Sequence, residues 1–150
     1  MKKLFVDNGQ EEYQLVEGGE LLRFNPKDQN VYARYMDALP KIKAVEQDMA
    51  EKAKSVNAAD ADAGEKSLRI MRETDSRMKA ILNGIFGEGN DFEQILRGVS
   101  LLAIGSNGNR VIYNLMDALM PVMKAGAKEC VSTEVAAAKL NREQRRAHHY

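Results

Sequence analysis

With 150 residues, 44% of them hydrophobic and 29% charged, the chain is long enough for one domain with a real core and ordinary in composition for a soluble globular protein. No apolar run approaches the length of a bilayer span, Met1-Lys2-Lys3 breaks into Asp7-Asn8-Gly9 before a signal-peptide core forms, and the single cysteine, Cys130, excludes an internal disulfide and fits a reducing cytosol. The net charge is zero but unevenly placed: residues 1–64 carry 9 Lys/Arg against 12 Asp/Glu and residues 65–150 carry 13 against 10, with Lys139, Arg142, Arg145 and Arg146 opposed only by Glu143 near the end.

Residues 1–24 predict a small antiparallel β-meander: Lys3–Asp7, a turn at Asn8-Gly9, Gln10–Val16, a turn at Glu17-Gly18-Gly19, and Glu20–Phe24. Asn-Gly between apolar-rich runs is a strong hairpin signal, and Leu4, Val6, Tyr13, Leu15, Leu22 and Phe24 supply one face. So small a sheet is marginal alone and must pack on helices. Asn25 then caps a long helix over residues 25–56, with Pro26 at its first position and Asp28 complementing the dipole. Val31, Tyr35, Ala38, Ile42, Val45, Met49, Ala53 and Val56 form a narrow seam suited to an antiparallel helix partner. Pro40 predicts a kink near Met36–Pro40 or a break into two helices.

Residues 57–64 have little to bury and predict a flexible loop. The next helix, Glu65 to Gly84, repeats the seam with Leu68, Met71, Met78, Leu82 and Ile85. Asp75 interrupts it, either turning outward or pairing with a basic neighbour such as Arg72 or Lys79. Two seamed helices joined by a loop predict a long antiparallel helix hairpin. At Ile81–Gly98 the helix runs out into Gly87 and Gly89, which permit a left-handed turn, while Asn90 with Glu93 forms a capping box for a short helix at Phe92–Leu96. The Ile, Phe and Leu residues around this stop make it a buried corner.

Val99–Ile104 is a buried helical turn or a strand, and periodicity does not arbitrate at that length. A further helix runs from Arg110 to Lys124 with Pro121 inside it and Gly126 at its end. Ser132 or Thr133 caps a last, alanine-rich helix, and residues 141–150 are expected to be a disordered basic tail. The fold class is α+β, mostly α. Residues 1–140 form a single domain in which the β-meander packs on a helical bundle containing the long hairpin.

Residues fit for chemistry are few. Gly105-Ser106-Asn107-Gly108-Asn109-Arg110 reads as a helix cap, with an anion cradle as the alternative. His148 and His149 are adjacent, terminal and without a third spaced ligand, so they do not predict a metal site. They are the sole histidines, which leaves Cys130 and any serine without another imidazole, and Asp60 and Asp62 sit where geometry cannot be fixed. No catalytic residue, cofactor or metal is expected. The helix carrying Met116, Met120 and Met123 is apolar nearly all round, because Leu115, Leu119 and Val122 complete it, so it is either central or docked against a partner.

The amino-terminal strands, Phe24-Asn25-Pro26-Lys27-Asp28, the long seamed helix, Ile85-Phe86-Gly87-Glu88-Gly89 and the short capped helix ending at Gly98 together resemble the tail assembly chaperones of long-tailed, siphovirus-type bacteriophages and prophages of Gram-positive bacteria. The similarity runs over roughly residues 3–126 in order of elements. It implies a non-enzymatic protein of the bacterial host cytosol that binds the tape measure protein, helps recruit tail tube subunits and is absent from the mature virion. On that reading Met116, Leu119, Met120 and Met123 line a partner groove, and Arg142, Arg145 and Arg146 form its charged extension. Self-association through helices is compatible with it, and no membrane partner is implied. The alternative is a small regulatory or nucleic-acid-associated protein using the basic tail, although a nucleic-acid footprint ordinarily spreads across a folded face.

Overall fold

The computed structural model describes residues 1–148, with side-chain surroundings through Glu143. Two short strands, β1 (Glu11–Tyr13) and β2 (Leu22–Phe24), precede helices α1 (Gln29–Lys54), α2 (Ala63–Phe86), α3 (Phe92–Ile95) and α4 (Val111–His148). The fold is thus mostly α, with a small antiparallel sheet packed against the helices.

The strands pair as Glu11↔Phe24, Glu12↔Arg23 and Tyr13↔Leu22. The expected first strand, Lys3–Asp7, does not form, and Leu4 and Val6 are fully exposed. A two-residue type I′ hairpin needs positive φ at both central residues. Gly9 has it, at +72°, but Asn8 does not. The Asp7 and Asn8 carboxyl and amide oxygens instead accept from the N–H groups of Gly9 and Gln10, and the Asn25 side chain donates to the Asn8 carbonyl. This local bonding turns the chain away from β1, and the meander is reduced to two strands.

α1 begins three residues later than the sequence suggested, because Asp28 rather than Asn25 is the N-cap, its side chain accepting from the Asn30 N–H. It is one continuous helix through Pro40, so the chain does not break into two there. A proline removes one ladder bond, but Ala38 and Ile42 on either side of it are buried in the core. α2 runs antiparallel to α1, as the ties at both levels show: Arg34 Nε donates to the Ile85 carbonyl at 2.8 Å, and Arg77 meets Asp48 at 2.6 Å. Between them Val31, Tyr35, Ala38, Ile42 and Val45 are buried with Met78, Leu82 and Ile85.

The seam closes over only part of the hairpin. Leu68 and Met71, both expected inside, are 61% and 38% exposed, and Met49 is half-buried. Thr74 takes the buried position next to Asp75, with its hydroxyl donating to the Ile70 carbonyl. Asp75 therefore faces sideways and pairs with Lys79 at 3.0 Å while its other oxygen accepts from the Leu101 N–H. Lys79 also reaches Glu93 at 2.6 Å with its side chain 6% exposed. Burial alone would push this ammonium down, but the hydrogen bonds to Glu93 and Asp75 outweigh it and hold it above the usual lysine value of 10.5.

The glycine corner has the expected backbone, with φ of +86° at both Gly87 and Gly89. Its cap differs: Asp91, not Asn90, accepts from the Glu93 N–H. Asn90 is thereby free to turn inward. Its amide oxygen accepts from the Arg23 N–H at 2.8 Å, and its NH2 donates to the carbonyls of Arg23 and Phe86 at 2.8 and 3.1 Å. The side chain occupies the inner edge of β2 as a third strand would. Above it the rings of Tyr13, Phe24, Phe86 and Phe92 follow one another at centroid distances of 5.1, 4.7 and 5.7 Å, running from sheet to corner. On the far side of the sheet, Gly19 lies so near α3 that an added Cβ would stand 2.4 Å from the Ile95 carbonyl oxygen.

Val99–Ile104 forms turns rather than a regular element, and it buries Leu101 and Leu102. The carbonyls of Ala103 and Leu101 accept from Val111 and Ile112 at the start of α4. α4 itself is a single helix where the sequence suggested two helices and a disordered tail.

Two outcomes are expected here. Asn90→Ala leaves the buried Phe86 carbonyl and the part-buried Arg23 N–H and carbonyl without this partner, at about 1–3 kcal/mol for the buried group and less for the others; urea unfolding should register the loss, and the Arg23 amide should exchange hydrogen markedly faster. The Lys79 contribution has a defined sign, because a folded-state pKa raised above the unfolded 10.5 stabilises below that value and is lost as pH rises through the folded pKa. Lys79→Met should therefore flatten the alkaline arm of the stability–pH profile above roughly pH 10, a window set by the ordinary lysine pKa.

Candidate functional site

α4 carries most of the residues the sequence singled out, and the structure separates them. Ile112, Leu115, Leu119 and Met123 recur every three or four positions on the face turned into the core, and Leu119 and Met123 are 3% and 0% exposed. Those two are not groove residues: a helix apolar on all sides presents its best-packed stripe inward, and theirs is that stripe. Met116 and Met120 lie to the side and are half-buried. Met116 lines a shallow groove of ≈ 260 Å³ between α1 and α4, together with Leu39 and Tyr113. A hydrogen bond to Glu46, and then burial, push the Tyr113 hydroxyl up from its ordinary value.

Gly126 does not end the helix. Its φ is not positive, so it makes no left-handed stop. It permits a close crossing instead, since a Cβ there would overlap the Pro26 carbonyl. Two further ties flank this crossing: Lys27 meets Glu129 at 3.2 Å, and the Cys130 thiol lies 3.9 Å from the Gln29 side-chain oxygen. The short segment Pro26–Gln29 is thus a saddle on which α4 rests.

Past the saddle every residue from Val131 to Glu143 is exposed, including Val131 at 63%, Val135 at 50% and Leu140 at 56%. The helix nevertheless continues through Asn141–His148, where a disordered tail was expected. The physical reason is that Lys139-Leu140 and Arg142–Ala147 are helix formers without Gly or Pro, and extending an existing helix avoids the cost of nucleation. Val131, Val135 and Ala138, spaced four and three apart, share one stripe of this arm, and Leu140 faces elsewhere. Arg142 is exposed on it; the side chains of Arg145, Arg146 and His148, and the whole of His149, lie outside the described residues.

The remaining candidates are occupied by the fold. In the Gly105–Arg110 loop the Gly105 N–H donates to the Asn109 carbonyl, the Asn107 side chain accepts from Asn109 and bonds Asn114, and the first N–H groups of α4 are taken by Leu101 and Ala103. It is a cap and a bridge rather than an open cradle. A cleft of ≈ 400 Å³ lies between Asn8, Asn25, Asp28, Arg34 and Glu88. Its polar groups also bond inward: Asp28 caps α1, Arg34 holds Ile85, and Asn25 holds Asn8 and Lys27. Among the described residues, no three His, Cys, Asp or Glu side chains converge as metal ligands would, and no helix is long and apolar enough to cross a membrane.

Comparison with protein-family models, curated proteins and solved structures finds no match to this chain.

The saddle is testable by contrast. Gly126→Ala should destabilise by about 1–3 kcal/mol, as overpacking does, whereas Gly84→Ala, in α2 with nothing near its added methyl, should stabilise by up to ~1 kcal/mol through helix propensity. Chemical denaturation of the two variants in parallel reads both signs.

Proposed function

We propose that the chain is a phage tail assembly chaperone, a non-enzymatic cytosolic protein that binds the tape measure protein, helps recruit tail tube subunits and does not enter the finished particle. The observation that carries the reading is the α4 arm, a helix that leaves the body at the saddle and exposes Val131 and Val135 on one stripe. Long amphipathic helices have apolar stripes to cover until they assemble, and a free helix with a small apolar stripe can pair with them along its length. The resemblance at Ile85–Gly89 supports the same class of protein. Met116 and Met120 adjoin the arm on α4 and add adaptable thioether surface, and the arm's basic end, from Lys139 to Arg146, adds a charged extension.

The test is co-expression of the full chain with the tape measure protein of its own gene cluster, followed by affinity purification. A double variant, Val131→Asp with Val135→Asp, should lower recovery of the partner at least tenfold, with an unchanged circular dichroism spectrum and melting temperature, and Met116→Gln with Met120→Gln should lower it less. Full recovery with the arm variant would overturn the assignment. A salt-dependent shift of DNA or RNA by the full chain that is lost on deleting residues 140–150 would favour a nucleic-acid-associated protein instead.

A further inference from the structure

We propose that the amino-terminal segment Lys2–Val6 is a strand donor, and that its acceptor is the open edge of β1 in a second copy of the chain. The segment has a strand's composition and no strand to pair with: Leu4, Phe5 and Val6 are 93%, 91% and 84% exposed, and residues 1–10 form no regular element. The acceptor edge follows from Asn90. Arg23 gives its N–H and carbonyl to that side chain, so its main-chain groups face away from β1. The ladder bonds therefore fall to the pairs Glu11↔Phe24 and Tyr13↔Leu22, and the N–H and carbonyl of Glu12 face outward. Among the described residues the sheet has no third strand, and no main-chain bond outside it reaches Glu12 or Gln14. One edge of the sheet is capped by an amide, while the other is a template for an incoming strand.

The segment does not turn back onto its own β1. The Asn25 side chain holds the Asn8 carbonyl, and Asn8 lacks the positive φ of a two-residue hairpin. A second copy is free of that constraint, and its charges fit. Residues 1–6 carry Lys2 and Lys3 and no acidic side chain, whereas residues 10–20 carry Glu11, Glu12, Glu17 and Glu20 and no Lys or Arg. Laid parallel to β1 with Leu4 beside Tyr13, the segment sets Lys2 by Glu11, Lys3 by Glu12 and Val6 by Leu15. Leu4 and Val6 then extend the face on which Tyr13 and Leu15, both half-buried, pack against the core, and the outward groups of Glu12 and Gln14 meet the main chain of Lys2, Leu4 and Val6. An antiparallel segment with Leu4 at the same place sets Lys2 against Leu15 and Val6 against Glu11. Sliding it by two residues to restore the apolar pairs faces Asp7 with Glu12, so the pattern selects the parallel register. Made reciprocally, the exchange closes a two-fold dimer.

The experiment is sedimentation velocity of the full chain over a dilution series. The chain should form a dimer that dissociates on dilution and weakens as sodium chloride is raised. Leu4→Pro with Val6→Pro removes two main-chain donors at fully exposed positions, and should raise the dimer dissociation constant at least tenfold with the melting temperature of the dilute monomer unchanged. Glu12→Lys should weaken the dimer as well. Glu12 also meets Arg23 of its own chain at 3.2 Å, so the decisive reading is rescue: Lys3→Glu added to Glu12→Lys should recover at least tenfold of the lost affinity. An excess of a synthetic peptide of residues 1–8 should dissociate the dimer, and the same peptide with Lys2→Glu and Lys3→Glu should not. A monomer at every concentration, a dimer that survives the proline pair, or a dimer indifferent to both peptides overturns the proposal. None of the substituted residues lies on α4, so failure here and failure of the α4 assignment are separate results.

Discussion

A sheet of two three-residue strands cannot hold its own shape in water, and the strands that end at Phe24 therefore depend on what Asn90 does. One buried amide group gives both of its faces to backbone, satisfying the Arg23 N–H and carbonyl on one side and the Phe86 carbonyl on the other. It is able to do so because Asp91 takes over the capping of α3 and because glycines at 87 and 89 bend the chain back past the sheet. The aromatic series from Tyr13 to Phe92 then fills the space that this bonding defines. Strand, corner and helix are one cooperative unit. The apolar burial supplies most of its free energy, while the amide fixes its register.

Much of this was legible in the chain. The seam residues Val31 through Val45, the seam of α2 from Met78 to Ile85 and the glycine corner are repeated local patterns, and local patterns report local geometry. What escaped were cases in which one residue type serves two purposes. Gly126 looks like a helix stop in isolation, and only the position of Pro26, a hundred residues earlier, reveals it as a site of close crossing. Asn8-Gly9 has the composition of a tight hairpin, yet competing bonds to its own side chains and to Asn25 decide its backbone. Leu119 and Met123 could not be told from Met116 and Met120 by period, since a helix apolar on every side has no sequence-visible inward face. Residues 141–148 have no apolar face and by sequence suggest a disordered tail, whereas propensity and continuation from a packed helix are sufficient for a helix there.

The polar side chains are largely committed to architecture. Asparagines cap, bridge and mimic strands; Asp75, Lys79 and Glu93 bind α2 to α3 and to the Leu101 turn. Most cross-helix ion pairs are half-exposed, such as Arg77 with Asp48, and pairs of that kind contribute little to stability. Exposed apolar side chains lie where the core has run out, among them Val131 and Val135 on α4 and Leu68 and Met71 on α2.

The saddle at Pro26–Gln29 also sets a direction. From Gly126 to His148 the helix extends ~33 Å at 1.5 Å per residue, with no other support among the described residues. A tilt of ~10° at the crossing would sweep the far end through ~6 Å, about one helical turn. The contact between a glycine and a proline carbonyl is in this sense the bearing of a lever. Substitutions there would re-aim the arm without touching any residue on it, and the aim of the arm is a property inherited from the few residues that lead into α1.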